Sequence, residues 1–440
     1  MTDNSNTLRA AYFTLGCKLN FAETATIGKI LREHNIMRVA NGETPDICIV
    51  NTCSVTEMAD KKGRRLLRHL ASTYPDATIV ATGCYAQLKP EEVKQIEGVD
   101  IVLGSDEKLR MAEYIEKWLE TKTPTTAVSP LKEIKEFRGS CERGDRTRYF
   151  LKVQDGCNYF CTYCTIPFAR GTSRSGSIDE LVAAAENVAR EGGKEIVITG
   201  VNIGCFGLDT GESFFELLKR LDAVEGIERY RISSIEPNLI TEEILEWIAT
   251  ESKSFMPHFH IPLQAGSDAV LKLMNRRYDT SLFAERITKI RSLMPDAFIG
   301  IDIIAGARGE TPEEWQKSLD FVSALPVTRF HIFPYSERPG TVALNISHQV
   351  PREERRRRVG VLSDVSDSKM REFMSKAIGS VRNVLWEHSD HNPERMHGFT
   401  DNYLRITAPV NPDLFNTITP TRITGFDMSD KESLVGEPIV

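Results

Sequence analysis

The sequence predicts an α/β protein of three parts: an open parallel sheet, a partial (β/α)6 barrel and a small β-barrel. Three observations support this fold. Residues 8–126 alternate apolar strands with amphipathic helices, and residues 147–373 repeat strand then helix six times. Residues 376–440 hold short strand-like runs, at 381–386, 403–407 and 419–423, among Asn, Pro and Gly, without a long helical pattern. A polar run at 121–126 ends the first part, and we predict a linker over 127–146.

In the first part, strands are predicted at 11–14, 47–50 and 78–81, with helices at 23–33 and 56–73. A cysteine follows each strand: Cys17, Cys53 and Cys84. Parallel strands end at one edge of a sheet, where ligands bind in open α/β folds, so we expect these thiols to converge on a cluster. The alternative is that small thiols simply pack at strand ends. Cys48 lies within its strand and is predicted to be core.

The second part has six predicted βα units. Its strands are predicted at 149–153, 195–199, 230–234, 259–263, 298–304 and 330–334. Its helices are predicted near 179–190, 213–224, 242–250, 267–275, 281–293 and 312–323. Six units are too few for a complete eight-stranded barrel, so we expect an open one with active groups at the carboxyl ends of the strands.

A loop with three cysteines, Cys157, Cys161 and Cys164, follows the first of these strands. Three thiolates on a four-iron cluster leave one iron open, and an open iron can chelate the amino and carboxyl groups of S-adenosylmethionine. A structural zinc site would need a fourth Cys or His nearby, and the nearest histidine on the C-terminal side is His258. The spacing therefore favours an iron-sulfur cluster over zinc.

Composition predicts a cytoplasmic protein without a membrane segment. There is no run of 18 apolar residues, and the polar start 1–6 has no signal-peptide core. Nine cysteines, an odd number, indicate metal binding or catalysis before disulfides. The net charge of -7 gives no overall attraction to nucleic acid, so an RNA surface must be local. The candidate basic clusters lie at 61–68, 143–148 and 355–358.

Taken together, the motifs of this chain resemble those of the methylthiotransferase family of radical S-adenosylmethionine enzymes. The run 15–20, Leu-Gly-Cys-Lys-Leu-Asn, is similar to the MtaB branch, which modifies N6-threonylcarbamoyladenosine in tRNA; the branch acting on isopentenyladenosine typically has Tyr-Gly-Cys-Gln-Met-Asn. Further matching runs lie at 51–56, 82–87, 164–167, 170–171, 232–237 and 335–341. The tail, with 398–403 and 436–437, is similar to the TRAM domain, an RNA-binding barrel. Two departures are Ala25, for a frequent acidic residue, and Ala307-Arg308, for the usual Phe-Pro.

The resemblance implies two 4Fe-4S clusters, one on Cys157, Cys161 and Cys164 and one on Cys17, Cys53 and Cys84. It implies two molecules of S-adenosylmethionine per turnover, one donating its methyl to a sulfur on the N-terminal cluster and one cleaved reductively at the central cluster. The implied product is 2-methylthio-N6-threonylcarbamoyladenosine, next to the tRNA anticodon. The implied partners are the anticodon stem-loop, an external electron donor and a sulfur source.

On this interpretation, side chains at strand ends hold the methionine and ribose groups, and Tyr163 lies beside the adenine. The strand-end candidates are Thr199, Gly200, Asn202, Ser234, Glu236 and Gln264. The alternative for each is a purely structural role, which we also favour for His258 and His260. Alternative functions are methylthiolation of isopentenyladenosine in tRNA or of a ribosomal-protein aspartate. A non-catalytic RNA-binding protein with an iron-sulfur or zinc site is a further alternative.

Overall fold

The structure, a computed structural model, describes residues 7–40, 42–144, 146–387 and 394–439. The polar start 1–6, for which we predict no export signal, lies outside the described residues. Within the part that is described, no helix is both long and apolar enough to cross a membrane.

The first part is a six-stranded parallel sheet in the order β2-β1-β3-β4-β5-β6. Its strands are β1 (Leu8–Thr14), β2 (Ile36–Arg38), β3 (Ile47–Thr52), β4 (Thr78–Gly83), β5 (Ile101–Leu103) and β6 (Thr125–Ala127). Its helices are α1 (Lys18–Glu33), α2 (Glu57–Thr73), α3 (Cys84–Leu88), α4 (Pro90–Lys94) and α5 (Met111–Thr121). Helices α1 and α5 cover one face and α2 the other, so the central strands are buried on both sides.

The three predicted strands of this sheet are present as β1, β3 and β4, whereas β2, β5 and β6 were missed. Each missed strand has only three residues, too few for alternation to show. The polar run 121–126 holds the end of α5 and the start of β6. The segment 127–146, which we interpreted as a linker, contains strand β7 (Ser140–Glu142), antiparallel to the first barrel strand.

The second part is an open barrel of six parallel strands in chain order. These are β8 (Tyr149–Lys152), β11 (Glu195–Thr199), β12 (Arg229–Ile232), β13 (His258–Gln264), β14 (Phe298–Ala305) and β15 (Arg329–Pro334). Only isolated bridges join β12 to β13. A short ladder joins β9 (Gln154–Asp155) to β10 (Arg174–Ser175). The predicted partial (β/α)6 barrel is confirmed.

Most helices of the barrel begin where the sequence offers a capping side chain. They are α6 (Ile166–Arg170), α7 (Ile178–Arg190), α8 (Phe214–Asp222), α9 (Glu242–Thr250), α10 (Asp268–Leu273), α11 (Thr280–Leu293), α12 (Pro312–Ala324) and α13 (Arg352–Ala377). In α7 to α12 the residue before the helix is Ser, Thr or Asp, and its oxygen accepts a bond from a backbone N–H of the first turn. Helix α13 has no such cap and was not predicted.

The third part is a closed five-stranded barrel in the order β16-β17-β18-β20-β19. Its strands are β16 (Val381–Glu387), β17 (Arg395–Thr400), β18 (Arg405–Pro409), β19 (Ile418–Phe426) and β20 (Ser433–Pro438). The predicted small β-barrel is confirmed, although β17 and β20 were missed. Closure leaves no unpaired edge strand.

The C-terminal barrel closes the amino end of the central strands. At the start of β12, Arg229 donates hydrogen bonds to the carbonyls of Phe399 (3.0 Å) and Asn383 (2.8 Å). Arg231 donates to the carbonyls of Thr400 and Asp401, both at 2.7 Å. We call these four bonds the floor contacts, because they seal the end of the central barrel opposite the cysteine loop.

Candidate functional site

The N-terminal cysteine triad, Cys17, Cys53 and Cys84, lies at the carboxyl ends of three neighbouring strands. Thr52 and Gly83 pair in the ladder between β3 and β4, so Cys53 and Cys84 follow adjacent positions. Gly16 has φ +105°, and a Cβ placed there would lie 2.8 Å from the Cβ of Cys53. Only glycine allows this approach, which brings Cys17 against the other two. Each thiol lies within electrostatic range of the others.

Asn20, in the first turn of α1, fixes the loop that carries Cys17. Its side-chain NH2 donates to the carbonyls of Leu15 (2.8 Å) and Thr52 (3.0 Å), next to Cys53. One buried amide therefore joins two strand ends of the triad.

The central cysteine loop, residues 155–164, follows β8 and β9. At Gly156, φ is +71°, and a Cβ would lie 1.9 Å from the carbonyl oxygen of Thr172, so no other residue fits before Cys157. Each sulfur has a nearby donor: the backbone N–H groups of Tyr159 and Ile166 for Cys157 and Cys164, each at 3.4 Å, and Arg276 for Cys161. Such donors favour thiolates.

Burial opposes ionisation of these thiols. It raises the pKa of Cys53 and of Cys164 to about 12. Backbone hydrogen bonds to these sulfurs lower the pKa, but by less than burial raises it. A bound metal supplies the positive charge that a buried thiolate needs. Within the described ranges, no three His, Cys, Asp or Glu side chains are close enough to hold a single metal ion. A four-iron cluster does not require three side chains around one ion, because each thiolate binds a different iron.

The two cysteine sites face each other across the interface of the first two parts. The hydroxyl of Thr165, next to Cys164, donates to the carbonyl of Ser54, next to Cys53, at 3.3 Å. The hydroxyl of Ser105 donates to the carbonyl of Ala169 at 3.0 Å. The loops that carry the two triads are therefore in direct contact.

The predicted cofactor residues lie around the central loop but differ in their surroundings. Asn202 is buried, lies within hydrogen-bonding range of Cys157, and its side-chain amide oxygen has no partner among the described residues. Glu236 forms an ion pair with Arg276, which also lies 3.4 Å from the hydroxyl of Tyr163. Gln264 has φ +69°, a conformation that is uncommon outside glycine and that clusters at functional sites.

Thr199, Gly200 and Ser234 line the same end of the barrel with fewer distinctive contacts. Thr199 is buried beside Lys152 in the ladder between β8 and β11. A Cβ at Gly200 would lie 2.7 Å from the carbonyl oxygen of Gln154, which also supports a structural role there. Ser234 forms the isolated bridge to His260.

Comparison with known proteins gives matches over most of the chain. Residues 151–322 match the Radical SAM superfamily, and residues 9–104 match the Uncharacterized protein family UPF0004. The "Threonylcarbamoyladenosine tRNA methylthiotransferase MtaB" of Bacillus subtilis is 38% identical over 420 residues, which cover 94% of this chain and 93% of that protein. The protein of the same name from Thermotoga maritima is 39% identical over 376 residues, 85% of each chain.

The chain belongs to the radical SAM tRNA methylthiotransferases. A "tRNA-2-methylthio-N(6)-dimethylallyladenosine synthase" of Acetivibrio thermocellus is also similar, with 31% identity over 383 residues that cover 85% of this chain and 79% of that protein. Membership of the radical SAM family implies S-adenosylmethionine and a 4Fe-4S cluster as cofactors. The solved radical S-adenosylmethionine methyltransferase TsrM of Kitasatospora setae has the same fold at 14% identity, with a TM-score of 0.53 over 74% of this chain and 73% of that one.

Three residues that position the methylthiotransferase site escaped the sequence analysis. Gln154 accepts bonds from the backbone N–H groups of Val201 and Asn202 and donates to the carbonyl of Gly156. Arg276 lies 3.2 Å from the sulfur of Cys161. Arg338 reaches from the loop after β15 to Ser54 and to the carboxylate of Asp60 at 3.0 Å. The run 335–341 was a signal for Arg338, but no local pattern shows which distant group it contacts.

A buried charge cluster joins α1 to the central loop beneath both triads. It consists of Glu23, Asp155, Lys108, Lys152, Arg170 and Arg174, all buried. Glu23 pairs with Lys108 at 2.7 Å, Arg170 at 3.0 Å and Lys152 at 3.1 Å. Burial alone would raise the pKa of the Glu23 carboxyl, but Arg170, Lys108 and Lys152 hold it well below its usual range. Four cations face two carboxylates, so the cluster is positive beside the N-terminal triad.

Histidines line the inner face of the methylthiotransferase barrel. His260 lies 2.7 Å from the carboxylate of Asp302, and His331 stacks on His260 with ring centroids 4.7 Å apart. His258 packs against Tyr403 of the C-terminal barrel, with tilted rings whose centroids lie 4.3 Å apart. Burial, followed by the neighbouring His260, lowers the pKa of His331 to about 4. His260 thus has a hydrogen-bond partner, whereas the buried Nδ1 of His258 has none among the described residues, and the structural role of both stays a prediction.

The lowered pKa of His331 predicts a loss of stability on mild acidification. The unfolded imidazole binds a proton near pH 6.5 and the folded one only near pH 4, so the unfolded state binds more protons between these values. Stability should therefore fall as pH drops from 7 to 5. His331→Asn should reduce the slope of the unfolding free energy against pH. The reduction should correspond to at most about one bound proton. Urea unfolding at pH 7, 6 and 5 measures it, with the exposed His34→Asn as control; an unchanged slope would contradict the assignment.

The basic runs proposed as RNA surfaces are only partly exposed. On α2, Lys61, Lys62, Arg65 and Arg68 are exposed. By contrast, Arg148 is packed against Glu387 at 2.7 Å. Arg355 and Arg358 are buried, with bonds to the carbonyl of Tyr335 and the carboxylate of Glu310. The interpretation of 355–358 as one basic surface is therefore wrong, because Arg355 supports the loop after β15 and Arg358 supports the loop after β14.

Proposed function

We propose that this methylthiotransferase adds a methylthio group to C2 of N6-threonylcarbamoyladenosine next to the tRNA anticodon, giving 2-methylthio-N6-threonylcarbamoyladenosine. The similarity to relatives named for this nucleoside, at 38% and 39% identity, supports it over the 31% identity to a synthase named for dimethylallyladenosine. The motif Leu-Gly-Cys-Lys around Cys17 supports the same branch.

One observation carries the proposal: two separate cysteine triads meet at a single interface, through the bond between Thr165 and Ser54. One triad would hold the cluster at which S-adenosylmethionine is cleaved, and the other a second 4Fe-4S cluster that carries the sulfur to be transferred. A reaction that needs both a radical and a sulfur donor requires such closeness, since the substrate carbon has to reach both. Packing alone would not explain three thiols at three matched strand ends.

The residues of this chain would position the reactants. Asn202, with its unpartnered buried side-chain oxygen, and Glu236, beside Arg276, would hold the methionine and ribose groups of S-adenosylmethionine. Thr199, Gly200, Ser234 and Gln264 would complete that pocket, with Tyr163 beside the adenine. The floor contacts lie at the opposite end of the barrel, so the substrate would enter from the side of the cysteine loops.

A base inside this barrel must be unstacked from its RNA. The site lies between buried residues of two domains, so an anticodon-loop base would have to be turned out of the loop to reach it. An external electron donor and a sulfur source are required partners of the reaction.

Nucleoside mass spectrometry tests the proposal. In tRNA from a strain that lacks this protein, 2-methylthio-N6-threonylcarbamoyladenosine should disappear and N6-threonylcarbamoyladenosine should accumulate. A plasmid-borne copy should restore the product, whereas a copy with Cys157, Cys161 and Cys164 replaced by alanine should not.

The same samples distinguish the alternatives. Loss of 2-methylthio-isopentenyladenosine would assign the protein to the other tRNA branch. Loss of a methylthio group from a ribosomal-protein aspartate, with tRNA unchanged, would assign it to protein modification. Neither change, with bound iron but no cleavage of S-adenosylmethionine, would indicate a non-catalytic RNA-binding protein.

A further inference from the structure

Lys18 is the first residue of α1, directly after Cys17, and α1 lies on the inner face of the central barrel. Ala22 packs against Phe150 and Val197, whose neighbours along the strands face the outer helices instead. Glu23 reaches Lys152 in the same direction. Lys18 therefore enters the barrel from the N-terminal domain.

The surroundings of Lys18 come from all three parts of the protein. Its ammonium lies within electrostatic range of four side chains, Tyr403, Arg148, Arg231 and Asp302. The same ammonium acts electrostatically on His331 and His258. The side chain is enclosed by protein but keeps part of its surface accessible, as expected of a residue that lines a cavity. Within the described part of the chain, no group forms an ion pair or hydrogen bond with this ammonium.

The charged neighbours of Lys18 are already neutralised by others. Arg148 pairs with Glu387 at 2.7 Å, and Arg231 pairs with Glu195 at 2.8 Å. Asp302 pairs with His260 at 2.7 Å. Among the described residues Lys18 thus has no counter-ion in a largely enclosed space, where an ammonium is costly unless a ligand supplies the negative charge.

We infer that Lys18 binds the carboxylate of the substrate's N6 substituent and so selects a nucleoside that carries one. This inference rests on the proposed function, because a threonylcarbamoyl group bears a carboxylate and an isopentenyl group bears none. An ammonium bonded to a carboxylate in an enclosed site is among the stronger hydrogen bonds of proteins.

The position of Lys18 also suits the reaction. In adenine, C2 and the N6 substituent flank N1 on the same edge of the ring. A substituent held by residue 18 therefore directs that edge towards Cys17, one residue away, which belongs to the triad proposed to carry sulfur. Lys18 is a specificity residue in this scheme, since it contacts the substituent and not the reacting carbon.

The test measures binding of anticodon stem-loops to the anaerobically reconstituted enzyme. Three RNAs differ only at the target base: unmodified adenosine, N6-threonylcarbamoyladenosine, and its carboxyl methyl ester. The wild-type enzyme should prefer the free carboxylate over the ester by about 10- to 100-fold. Lys18→Gln should lose this preference while binding unmodified RNA as the wild type does, and Lys18→Arg should retain most of it.

Controls separate a local from a general effect. Lys117→Gln removes an exposed lysine of the same domain, on α5, and should leave the preference intact. Iron content and melting temperature report whether Lys18→Gln is folded, and Lys18→Arg provides a second, conservative readout. Equal weakening for all three RNAs, or an undiminished preference in Lys18→Gln, would overturn the inference. If the wild type fails to methylthiolate the threonylcarbamoyl RNA at all, the proposed function itself has failed.

Discussion

Replacement of Cys157, Cys161 and Cys164 by alanine is expected to abolish the formation of 5′-deoxyadenosine from S-adenosylmethionine. These three sulfurs lie in one loop, each with a hydrogen-bond donor within 3.4 Å. Anaerobic assays with a chemical reductant, with product measured by mass spectrometry, should show a loss of several orders of magnitude.

The matched variant replaces Cys17, Cys53 and Cys84 and should behave differently. It should hold roughly half the iron of the wild type, because one of two similar clusters is lost. It should still cleave S-adenosylmethionine but form no methylthio product. Full iron content together with full methylthiolation would mean that these cysteines only pack at strand ends.

Cys48→Ala controls for the loss of a buried thiol as such. Cys48 is fully buried within β3, in the same sheet as the N-terminal triad, but its side chain packs in the hydrophobic core. The variant should keep its iron and both activities, with only the small loss of stability that follows from removing a buried atom. Loss of iron from Cys48→Ala would show that the triad variant reports on folding and not on ligation.

Glu23→Ala is expected to destabilise the protein by about 3–5 kcal/mol, although Glu23 ligates nothing. The substitution leaves Lys108, Lys152 and Arg170 buried with a single remaining carboxylate, Asp155, to neutralise them. An unpaired buried charge is far more costly than the pair was stabilising. Urea unfolding followed by circular dichroism should show a lower midpoint, and the interface between the first two parts should open first.

Glu43→Gln is the control for this experiment. Glu43 pairs with Arg9 at the surface of the same domain, with both side chains around two-fifths exposed. An exposed pair contributes about 0–1 kcal/mol, so the midpoint should scarcely move. A Glu23 variant no less stable than the Glu43 variant would indicate that water enters the charge cluster.

The sequence was most informative where local signals repeat. The six barrel strands, the helices α7 to α12 and the strand-end cysteines could be predicted because alternation, a Ser, Thr or Asp before the helix, and cysteine spacing are all visible within short windows. The contact between the two triads could not, because the bond from Thr165 to Ser54 joins residues 111 positions apart.

Long-range ion pairs account for most of what was missed. Arg338 and Asp60, or Glu23 and Arg170, look like ordinary surface charges in sequence, and only the folded chain shows them buried together. Arg355 and Arg358 were misassigned for the same reason, since a run of four arginines suggests a solvated face. Strands of three residues were missed because alternation needs more residues to appear.

The floor contacts limit how freely this architecture can be recombined. Because Arg229 and Arg231 donate to backbone carbonyls at 383 and 399–401, and Tyr403 packs against His258, the C-terminal barrel forms a wall of the reaction chamber as well as a separate fold. Truncation before β16 would leave the two buried guanidinium groups without these hydrogen-bond acceptors. It would also let water into the reaction chamber. A chimaera that exchanges the C-terminal barrel between relatives therefore has to keep Arg229 and Arg231 matched to it. The C-terminal barrel and these two arginines form one exchangeable unit.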